Sequence, residues 1–308
     1  MTRSSLAVKS MVAAALGASF ALVPIAASAL VINEITTTAG IEGVLLSKLL
    51  APSSGITVVP GSFIYQGTNT SSLAQSGLYT GFNLAPTSGS TPTLTLADGI
   101  VLSSGSAAVP LTNTVNNFSR NTGSGANAAL TTLAGGETLD ANVLTFDFTV
   151  APGQTSVSAQ FVFGTEEFPT QSVTDIFGFF VDGDNYAKFA SGELISNTPG
   201  NPTNFIANPL GAGLYGIEYN GLTQVFTVTG LLDPTVVGAH TLTIGIADTS
   251  DTIFQSGVFL TGLRAGTETG GGIDPTVPVI PEPETYALML AGLGAVGAVA
   301  RRRKQRQK

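Results

Sequence analysis

The sequence contains no cysteine and no tryptophan, and it has a single histidine, His240. The lack of cysteine excludes disulfides, thiolate metal sites and cysteine nucleophiles. A serine–histidine–aspartate triad would depend entirely on His240, and no G-x-S-x-G motif accompanies it. We therefore expect no enzymatic activity, and we expect His240 at the surface or edge of the fold, just ahead of a strand.

Basic residues are scarce in the body of the chain. Of the 12 lysines and arginines, two lie near the N-terminus and six lie in the last eight residues. Residues 30–280 keep four cationic side chains against 18 acidic ones, a net charge of −14. This balance argues against a nucleic-acid partner, because phosphate contacts need Lys and Arg. It is compatible with cation binding and with solubility outside the cell.

The N-terminus has the organisation of a secretory signal peptide over residues 1–29. A basic start is followed by a short apolar stretch over residues 11–25 and by Ala27-Ser28-Ala29, which matches the A-x-A cleavage rule. We predict cleavage by signal peptidase after Ala29. The alternative is an N-terminal membrane anchor, which the shortness of the stretch and Pro24 near its end disfavour.

The C-terminal residues 281–308 have three parts in a fixed order. A Pro-Glu-Pro motif comes first, an apolar run over residues 286–300 follows, and a basic cluster comes last. The motif is Pro281, Glu282 and Pro283, and the basic stop is Arg301, Arg302, Arg303 and Lys304. As a helix the apolar run would span only about 23 Å, short of the ~30 Å hydrocarbon core, which predicts a transient insertion in the inner membrane. The basic cluster would stay on the cytoplasmic side.

This arrangement closely resembles the PEP-CTERM sorting signal. The resemblance implies recognition by an exosortase in the inner membrane of a Gram-negative bacterium. Removal of the tail and delivery to the cell surface or to an exopolysaccharide matrix would follow. The simpler alternative is a C-terminal transmembrane helix. Residues 267–280, which precede the tag and contain three consecutive glycines and two prolines, are predicted to be a flexible linker.

The body of the chain, residues 30–266, has the pattern of an all-β domain. Apolar residues at helical spacing predict one short N-terminal helix over about 38–50, which Pro52 ends. The predicted strands are short and separated by Gly, Asn and Pro, and they cover residues 56–65, 94–96, 100–102, 143–150, 157–163, 176–181, 224–228, 241–247 and 257–263. We predict an antiparallel β-sandwich, of which the jelly roll is one arrangement, followed by the hydrophobic helix of the tag.

Local patterns refine several of these strands. Residues 143–150 alternate, which places Leu144, Phe146, Phe148 and Val150 on one face. Residues 176–181 are almost entirely apolar, which predicts a strand covered on both faces. Asp182-Gly183-Asp184-Asn185 is predicted to form a hairpin turn, and Pro60-Gly61 breaks the strand segment 56–65.

Four blocks of the body resemble the choice-of-anchor L family of bacterial surface proteins. They are ADGIVLSSGSA (97–107), DANVLTFDFTV (140–150), FVFGTEEFPTQSVTDIFGFFVDG (161–183) and IADTSDTIFQSGVFL (246–260). The resemblance implies one extracellular domain that is joined to varied C-terminal anchors, and it implies no established activity. Gln255 stands where the family pattern has an aspartate, which would weaken any site in which that aspartate is a ligand.

Five acidic residues are the candidate site residues. They lie at predicted strand ends or in loops beside apolar blocks, and they are Glu166, Glu167, Asp175, Asp248 and Asp251. Carboxylate oxygens are the ligands that calcium prefers, so we expect these residues to converge on one calcium ion. The alternative is that they accept backbone hydrogen bonds or solvate loops.

Two classes of function remain open. The first is a structural or adhesive component of the cell surface, biofilm or exopolysaccharide, with sugar contacts from tyrosines among Tyr65, Tyr79, Tyr186, Tyr215 and Tyr219. The second is a secreted carbohydrate-active hydrolase that uses the acidic cluster. A glycosidase needs two facing carboxylates, and adjacent residues on a strand point to opposite faces. Glu166 and Glu167 would therefore not form that pair by themselves.

Overall fold

A computed structural model describes residues 29–89, 91–115, 117–169, 175–196, 204–211 and 213–275. The predicted signal peptide up to residue 28, the Pro281–Pro283 motif, the C-terminal helix and the basic stop lie outside these ranges. Within them the chain forms 17 strands and two short helices. None of the helices in these ranges is long and apolar enough to cross a membrane.

The elements follow one another along the chain with short connections. In order they are β1 (Val31–Glu34), α1 (Ile41–Leu49), β2 (Ile56–Val58), β3 (Ile64–Gln66), β4 (Ser76–Thr80), β5 (Asn83–Leu84), β6 (Leu94–Thr95), β7 (Gly99–Ser103), α2 (Ala128–Ala134), β8 (Thr138–Val150), β9 (Ser156–Thr165), β10 (Ile176–Val181), β11 (Asp184–Asn185), β12 (Phe205–Ala207), β13 (Gly221–Thr223), β14 (Phe226–Leu231), β15 (His240–Thr249), β16 (Ser256–Gly266) and β17 (Gly272–Pro275).

Two large sheets organise the fold. The first has the order β1-β4-β7-β16-β9-β13-β12, and β14 also pairs with β9 while β17 pairs with β14. The second has the order β11-β10-β15-β8-β2, and β3 also pairs with β8. All of these strand pairs are antiparallel. The all-β prediction is confirmed.

Both sheets contribute side chains to the largest core cluster. Phe161 of β9, in the first sheet, lies 5.2 Å from Phe177 of β10, in the second, measured between ring centroids. The inward-facing residues of β8 predicted from its alternation, Leu144, Phe146 and Phe148, are fully buried in the same cluster. Because burial of each such side chain contributes about 1.5–3 kcal/mol, this shared core holds the two sheets together. The finer prediction of a sandwich or jelly-roll order remains a prediction.

Strand β10 is covered on both faces, as its uniformly apolar sequence predicts. One face lies in the shared core, and the other is covered by Leu130 of α2. Gly178 of β10 pairs with Gly245 of β15, and a Cβ atom at either position would approach Leu130 to 3.1 and 3.3 Å. The two glycines therefore leave the space in which the Leu130 side chain lies.

The helices differ in part from the sequence-based expectation. α1 agrees with the predicted helix, and its residues Ile41, Leu45 and Leu49 are buried. α2, which has only seven residues, was not predicted from the sequence. The Asn127 side chain caps its start by accepting hydrogen bonds from two backbone N–H groups, and Gly135 ends it in the left-handed conformation.

The turn between β10 and β11 is formed by Asp182 and Gly183. Their φ angles are 52° and 91°, and Val181 pairs with Asp184 across them. Positive φ at both central positions is characteristic of a tight hairpin turn, which Asp-Gly favours. The turn chemistry of the sequence therefore identified this hairpin.

Strand β17 occupies part of the segment that the sequence analysis assigned to the linker. Residues Gly272–Pro275 pair with β14, in register Val228 with Ile273. Ile273 is only 6% exposed and belongs to the shared core. The apolar side chain of Ile273, isolated among glycines and prolines, gave no periodic pattern, which is why the strand was not predicted.

Candidate acidic site

The acidic residues gather where strands of the two sheets end. Glu166 and Glu167 follow β9, and Asp175 directly precedes β10. Asp248 lies near the end of β15, and Asp251 lies in the connection to β16. Glu166, Glu167, Asp175 and Asp248 are each no more than 2% exposed, whereas Asp251 is half-buried. Burial of four carboxyl groups at one end of a small domain is costly unless partners compensate for the lost water.

Asp175 and Asp248 form the centre of this site. β10 and β15 are neighbours with Ile176 opposite Ala247, so the two aspartates are adjacent across the strands. Their carboxyl groups lie within hydrogen-bonding reach of each other. Such an arrangement requires a shared proton or a cation between them, because two adjacent carboxylates repel.

Two serines of the first sheet face this pair. Ser104 follows β7 and Ser256 begins β16, and each backbone N–H bonds to the other residue: Ser256 N donates to Ser104 Oγ, and Ser104 N donates to the Ser256 carbonyl, both at 3.0 Å. Ser104 Oγ also donates to Asp175 Oδ2 at 3.2 Å, which connects the two sheets. Neither serine was predicted, since isolated serines carry no signal in a sequence rich in serine.

Glu167 belongs to the same cluster. Its Oε2 accepts a hydrogen bond of 2.7 Å from the backbone N–H of Asp175. The pKa of Glu167 is raised to about 9, chiefly by burial; the hydrogen bond from Asp175 N lowers it, and the carboxyl groups of Asp248 and Asp251 raise it. Glu167 therefore fixes the start of β10 from within the acidic cluster.

Glu166 lies apart from the other acidic residues. Its Oε2 accepts a hydrogen bond of 3.1 Å from the side-chain amide of Asn220, and Asn220 also donates to the Glu166 carbonyl. Burial and the carboxyl of Glu218 raise the pKa of Glu166 to about 8. The adjacent residues Glu166 and Glu167 thus enter two different hydrogen-bond networks, as expected from their adjacency.

The sequence did not predict the buried acid Glu218. It is fully buried, and its carboxylate accepts hydrogen bonds from the backbone N–H groups of Thr114 and Val115.

The described ionisable groups that interact with the aspartate pair are all acidic. Burial raises the pKa of Asp175 well above its ordinary value, and Asp248 and Glu167 raise it further. Burial raises the pKa of Asp248 to about 7, with added contributions from Asp140 and Asp251. In the described ranges the one ion pair of the domain, between His240 and Asp182, lies elsewhere. In the part of the chain that the structure describes, no Lys, Arg or His is ion-paired with either aspartate.

The structure does not bring all five predicted ligands together. Glu167, Asp175 and Asp248 are in contact or closely coupled, Asp251 lies beside them, and Glu166 is directed elsewhere. Over the described part of the chain, no group of three or more His, Cys, Asp or Glu side chains is arranged to hold a metal ion. Calcium binding by these carboxylates stays a prediction.

Comparison with known families accounts for the domain and for the tail. Residues 45–263 match the model of the choice-of-anchor L domain, which covers well over half of the chain. The chain belongs to the choice-of-anchor L family. Residues 279–304 match the PEP-CTERM protein-sorting motif, which indicates an exported protein sorted to the cell surface by an exosortase. Comparisons with curated proteins and with solved structures gave no match.

In this choice-of-anchor L domain, the side-chain amide of Gln255 is hydrogen-bonded to the backbone of the loop at Ser106 and not to the aspartate pair. Its Oε1 accepts from Ser106 N and its Nε2 donates to the Ser106 carbonyl, both at 2.9 Å. A Cβ atom at Gly105 would lie 2.0 Å from Gln255 Oε1, so Gly105 is required for this contact. Gln255 therefore makes bonds to both a backbone donor and a backbone acceptor, which an aspartate would not do.

The prediction for His240 requires correction. His240 is the first residue of β15, and its side chain is only 12% exposed. Its Nδ1 lies 2.7 Å from Asp182 Oδ2, and its ring lies 5.9 Å from that of Phe148. The partner Asp182 comes from a hairpin turn 58 residues earlier, and no local pattern in the sequence reveals this pairing.

Most of the tyrosines proposed for sugar contacts are not accessible. Tyr79, Tyr215 and Tyr219 are fully buried. Tyr65 is half-buried, with its hydroxyl 2.8 Å from Ser76 Oγ. Tyr186 is half-buried at the surface, where it lines a cleft with a volume of about 390 Å³. Of the five tyrosines, Tyr186 is therefore the one whose ring is accessible to a ligand from a surface cleft.

Proposed function

We propose that this protein is a non-enzymatic structural or adhesive component of the extracellular matrix of a Gram-negative bacterium. Signal peptidase would release it after Ala29, and an exosortase in the inner membrane would act at Pro281–Pro283. The tail would leave the membrane after transient insertion, and the domain would join exopolysaccharide or biofilm. The match of residues 279–304 to the sorting motif, downstream of a choice-of-anchor L domain, is the observation that carries this proposal.

A surface cleft supports saccharide as the partner. The Tyr186 ring lies against Gly271, where an added Cβ would come within 2.5 Å of it, and the cleft is also lined by the exposed side chains of Lys188 and Asp274. An aromatic face beside charged hydrogen-bonding groups suits a sugar ring, which has apolar C–H faces and polar hydroxyls. The cleft lies between the β11 hairpin and β17, away from the acidic site.

The surroundings of the candidate acid–base groups support a non-enzymatic role. His240 is engaged by Asp182, and among the described residues no hydroxyl is hydrogen-bonded to its Nε2. Glu166 and Glu167 are 2% exposed and directed into separate networks. A glycoside hydrolase requires its two carboxyl groups to face a substrate across an open cleft.

The alternative is a secreted carbohydrate-active hydrolase that uses the acidic cluster. The observation in its favour is that Glu166 and Glu167 have pKa values raised to about 8 and about 9, as a general acid requires. Release of reducing ends from exopolysaccharide by the wild type, lost in both Glu166→Gln and Glu167→Gln, would establish this alternative over a structural role.

The sorting step is tested by intact-mass analysis in the native host. In a wild-type strain, we expect a surface-fraction chain that begins at Leu30 and lacks the basic stop. In a strain without exosortase, or with Pro281, Glu282 and Pro283 all replaced by Ala, the tail should remain and the chain should stay with the inner membrane. A tail retained in wild-type surface material would contradict the proposal.

The saccharide partner is tested by co-sedimentation with the host's purified exopolysaccharide. We expect Tyr186→Ala to lose binding and Tyr186→Phe, which keeps the ring, to retain it. Asp184→Ala, at an exposed position outside the cleft, is the matched control. Unchanged binding of Tyr186→Ala would remove the cleft from the proposal, while absence of wild-type binding would argue against the matrix role.

A further inference from the structure

Among the described residues, three buried oxygen atoms of the acidic site make no hydrogen bond of regular geometry. They are Asp175 Oδ1, Asp248 Oδ1 and Ser256 Oγ, and their residues are 1%, 2% and 0% exposed. An unpaired buried oxygen costs about 1–3 kcal/mol, and more if it carries charge. Burial of three such atoms is therefore unfavourable unless a cation or a proton donor binds to their lone pairs.

Four side chains that carry oxygen atoms meet at this point, from both sheets. Asp175 and Asp248 approach from the second sheet, and Ser104 and Ser256 approach from the first, joined across the sheets by the 3.2 Å bond from Ser104 to Asp175. The register of the strands fixes all four positions, since Gly257 pairs with Ser103 and Ile176 pairs with Ala247. Strand pairing therefore fixes all four residues, which lie within strands or directly beside their ends.

Among the described residues, the ionisable groups that interact with the aspartate pair are all acidic. Glu167, Asp140 and Asp251 are the acidic neighbours that interact with the aspartate pair. Asp140 is itself held by the backbone N–H groups of Thr122 and Gly123 at 2.9 and 2.8 Å. In the described ranges no Lys or Arg forms an ion pair with these groups. The local field thus favours a positive ion.

We propose that Asp175, Asp248, Ser104 and Ser256 form a binding site for a hard divalent cation, calcium. The two carboxylates supply the charge, and the two hydroxyls supply neutral oxygens, a donor set that calcium accepts and that softer metals do not favour. Backbone oxygens or water complete its coordination shell. This set differs from the five carboxylates expected from the sequence, because Glu166, Glu167 and Asp251 are not among its ligands and the two serines are added.

The proposal is tested on the full-length chain purified in mild detergent and stripped with a chelator. Addition of calcium should give one bound ion per chain by calorimetry and should raise the melting temperature by roughly 5–10 °C at a hundredfold excess over Kd. Asp248→Asn should bind no calcium at this site, while its melting temperature in chelator should equal or exceed that of the wild type, because a neutral amide removes the repulsion.

Glu166→Gln is the matched control, since it removes a buried acid outside the site and should keep the full calcium response. An unchanged wild-type melting temperature together with no heat of binding would overturn the proposal and leave a shared proton as the link between Asp175 and Asp248. A calcium response that persists in Asp248→Asn would overturn it as well, because the ion would then lie elsewhere.

Discussion

Asp182 holds the single histidine of the chain at the start of β15. Its Oδ2 lies 2.7 Å from His240 Nδ1 and accepts a hydrogen bond of 3.0 Å from Asp233 N, while its Oδ1 accepts one of 2.9 Å from Thr241 N. One carboxylate in a hairpin turn thus joins β10, β15 and the connection that follows β14. The histidine that the sequence offers as a catalytic candidate serves in this network.

We expect Asp182→Ala to lower the free energy of unfolding by about 1–3 kcal/mol, because several donors lose a charged acceptor. Asp182→Asn, which tolerates the positive φ of the turn, should cost less than Ala. Chemical denaturation monitored by circular dichroism measures both. The control is Asp184→Ala, two residues away and exposed. Equal stabilities of the two alanine variants would show that the network contributes nothing.

Ile273→Ala tests whether β17 belongs to the folded domain. Removal of a side chain that is 6% exposed in the shared core should cost about 2–4 kcal/mol. Val237→Ala, at a position that is 97% exposed, should change stability by less than about 0.5 kcal/mol. Thermal melts of the full chain compare the two. A neutral Ile273→Ala would mean that the segment behaves as the spacer that its composition predicts.

Gly164 and Gly257 pair across β9 and β16 and form the surface on which Tyr219 lies. An added Cβ at Gly164 would approach the Tyr219 ring to 2.4 Å, and one at Gly257 would approach its hydroxyl to 2.2 Å. We expect Gly164→Ala to cost about 1–3 kcal/mol, because the strand and the buried ring are both fixed. Gly136→Ala, where a Cβ meets open space, should be neutral or slightly stabilising. Comparable losses in the two variants would contradict the packing argument.

Glu166 should make stability depend on pH. Burial raises its pKa from 4.5 to about 8, so the folded chain retains a proton that the unfolded chain releases. The stabilising effect of this retained proton is complete below 4.5, the pKa of the unfolded chain. It decreases as the pH rises from 4.5 and is lost above about 8. Glu166→Gln, which mimics the protonated form, should match the wild type near pH 4 and exceed it by about 1 kcal/mol or more at pH 9.

This difference is measured by melting curves in chelator from pH 4 to 9. Glu34→Gln removes an acidic group from an exposed position of β1 and is the control. If Glu166→Gln and the wild type keep a constant difference across this range, folding does not raise the pKa of the Glu166 carboxyl.

Local patterns in the sequence predicted the regular elements well. The alternation of β8, the uniformly apolar β10 and the Asp-Gly turn after it each arise from residues adjacent in the chain, so a single sequence suffices to find them. The break at Pro60-Gly61 likewise separates β2 from β3, as expected. Other elements were missed. α2 has only seven residues, and β17 depends on one buried isoleucine and the edge of β14. The predicted strand ranges also leave out β1, β4, β5, β12 and β13.

The sequence identified which residue types form the acidic site, but it predicted only part of how those residues are arranged in space. Carboxylates beside apolar strands mark Asp175 and Asp248 in the sequence. Their pairing depends on the register of β10 and β15, which no short motif encodes. The serines that face them come from a different sheet and from ordinary positions in serine-rich loops. The direction of Glu166 away from the cluster follows from Asn220, 54 residues further along the chain.

The position of β17 sets the reach of the sorting motif. Pro275 ends this strand, and five residues separate it from Pro281. Fully extended, those residues cover only about 20 Å, whereas a chain that left the fold at the end of β16 would have more than twice that length. If an exosortase acts at Pro281–Pro283, as proposed, it would work directly beneath the folded domain. Cleavage would then require either that the domain rests on the membrane surface or that β17 separates from β14, and the pairing at the edge of the sheet would help to set how fast the protein is released.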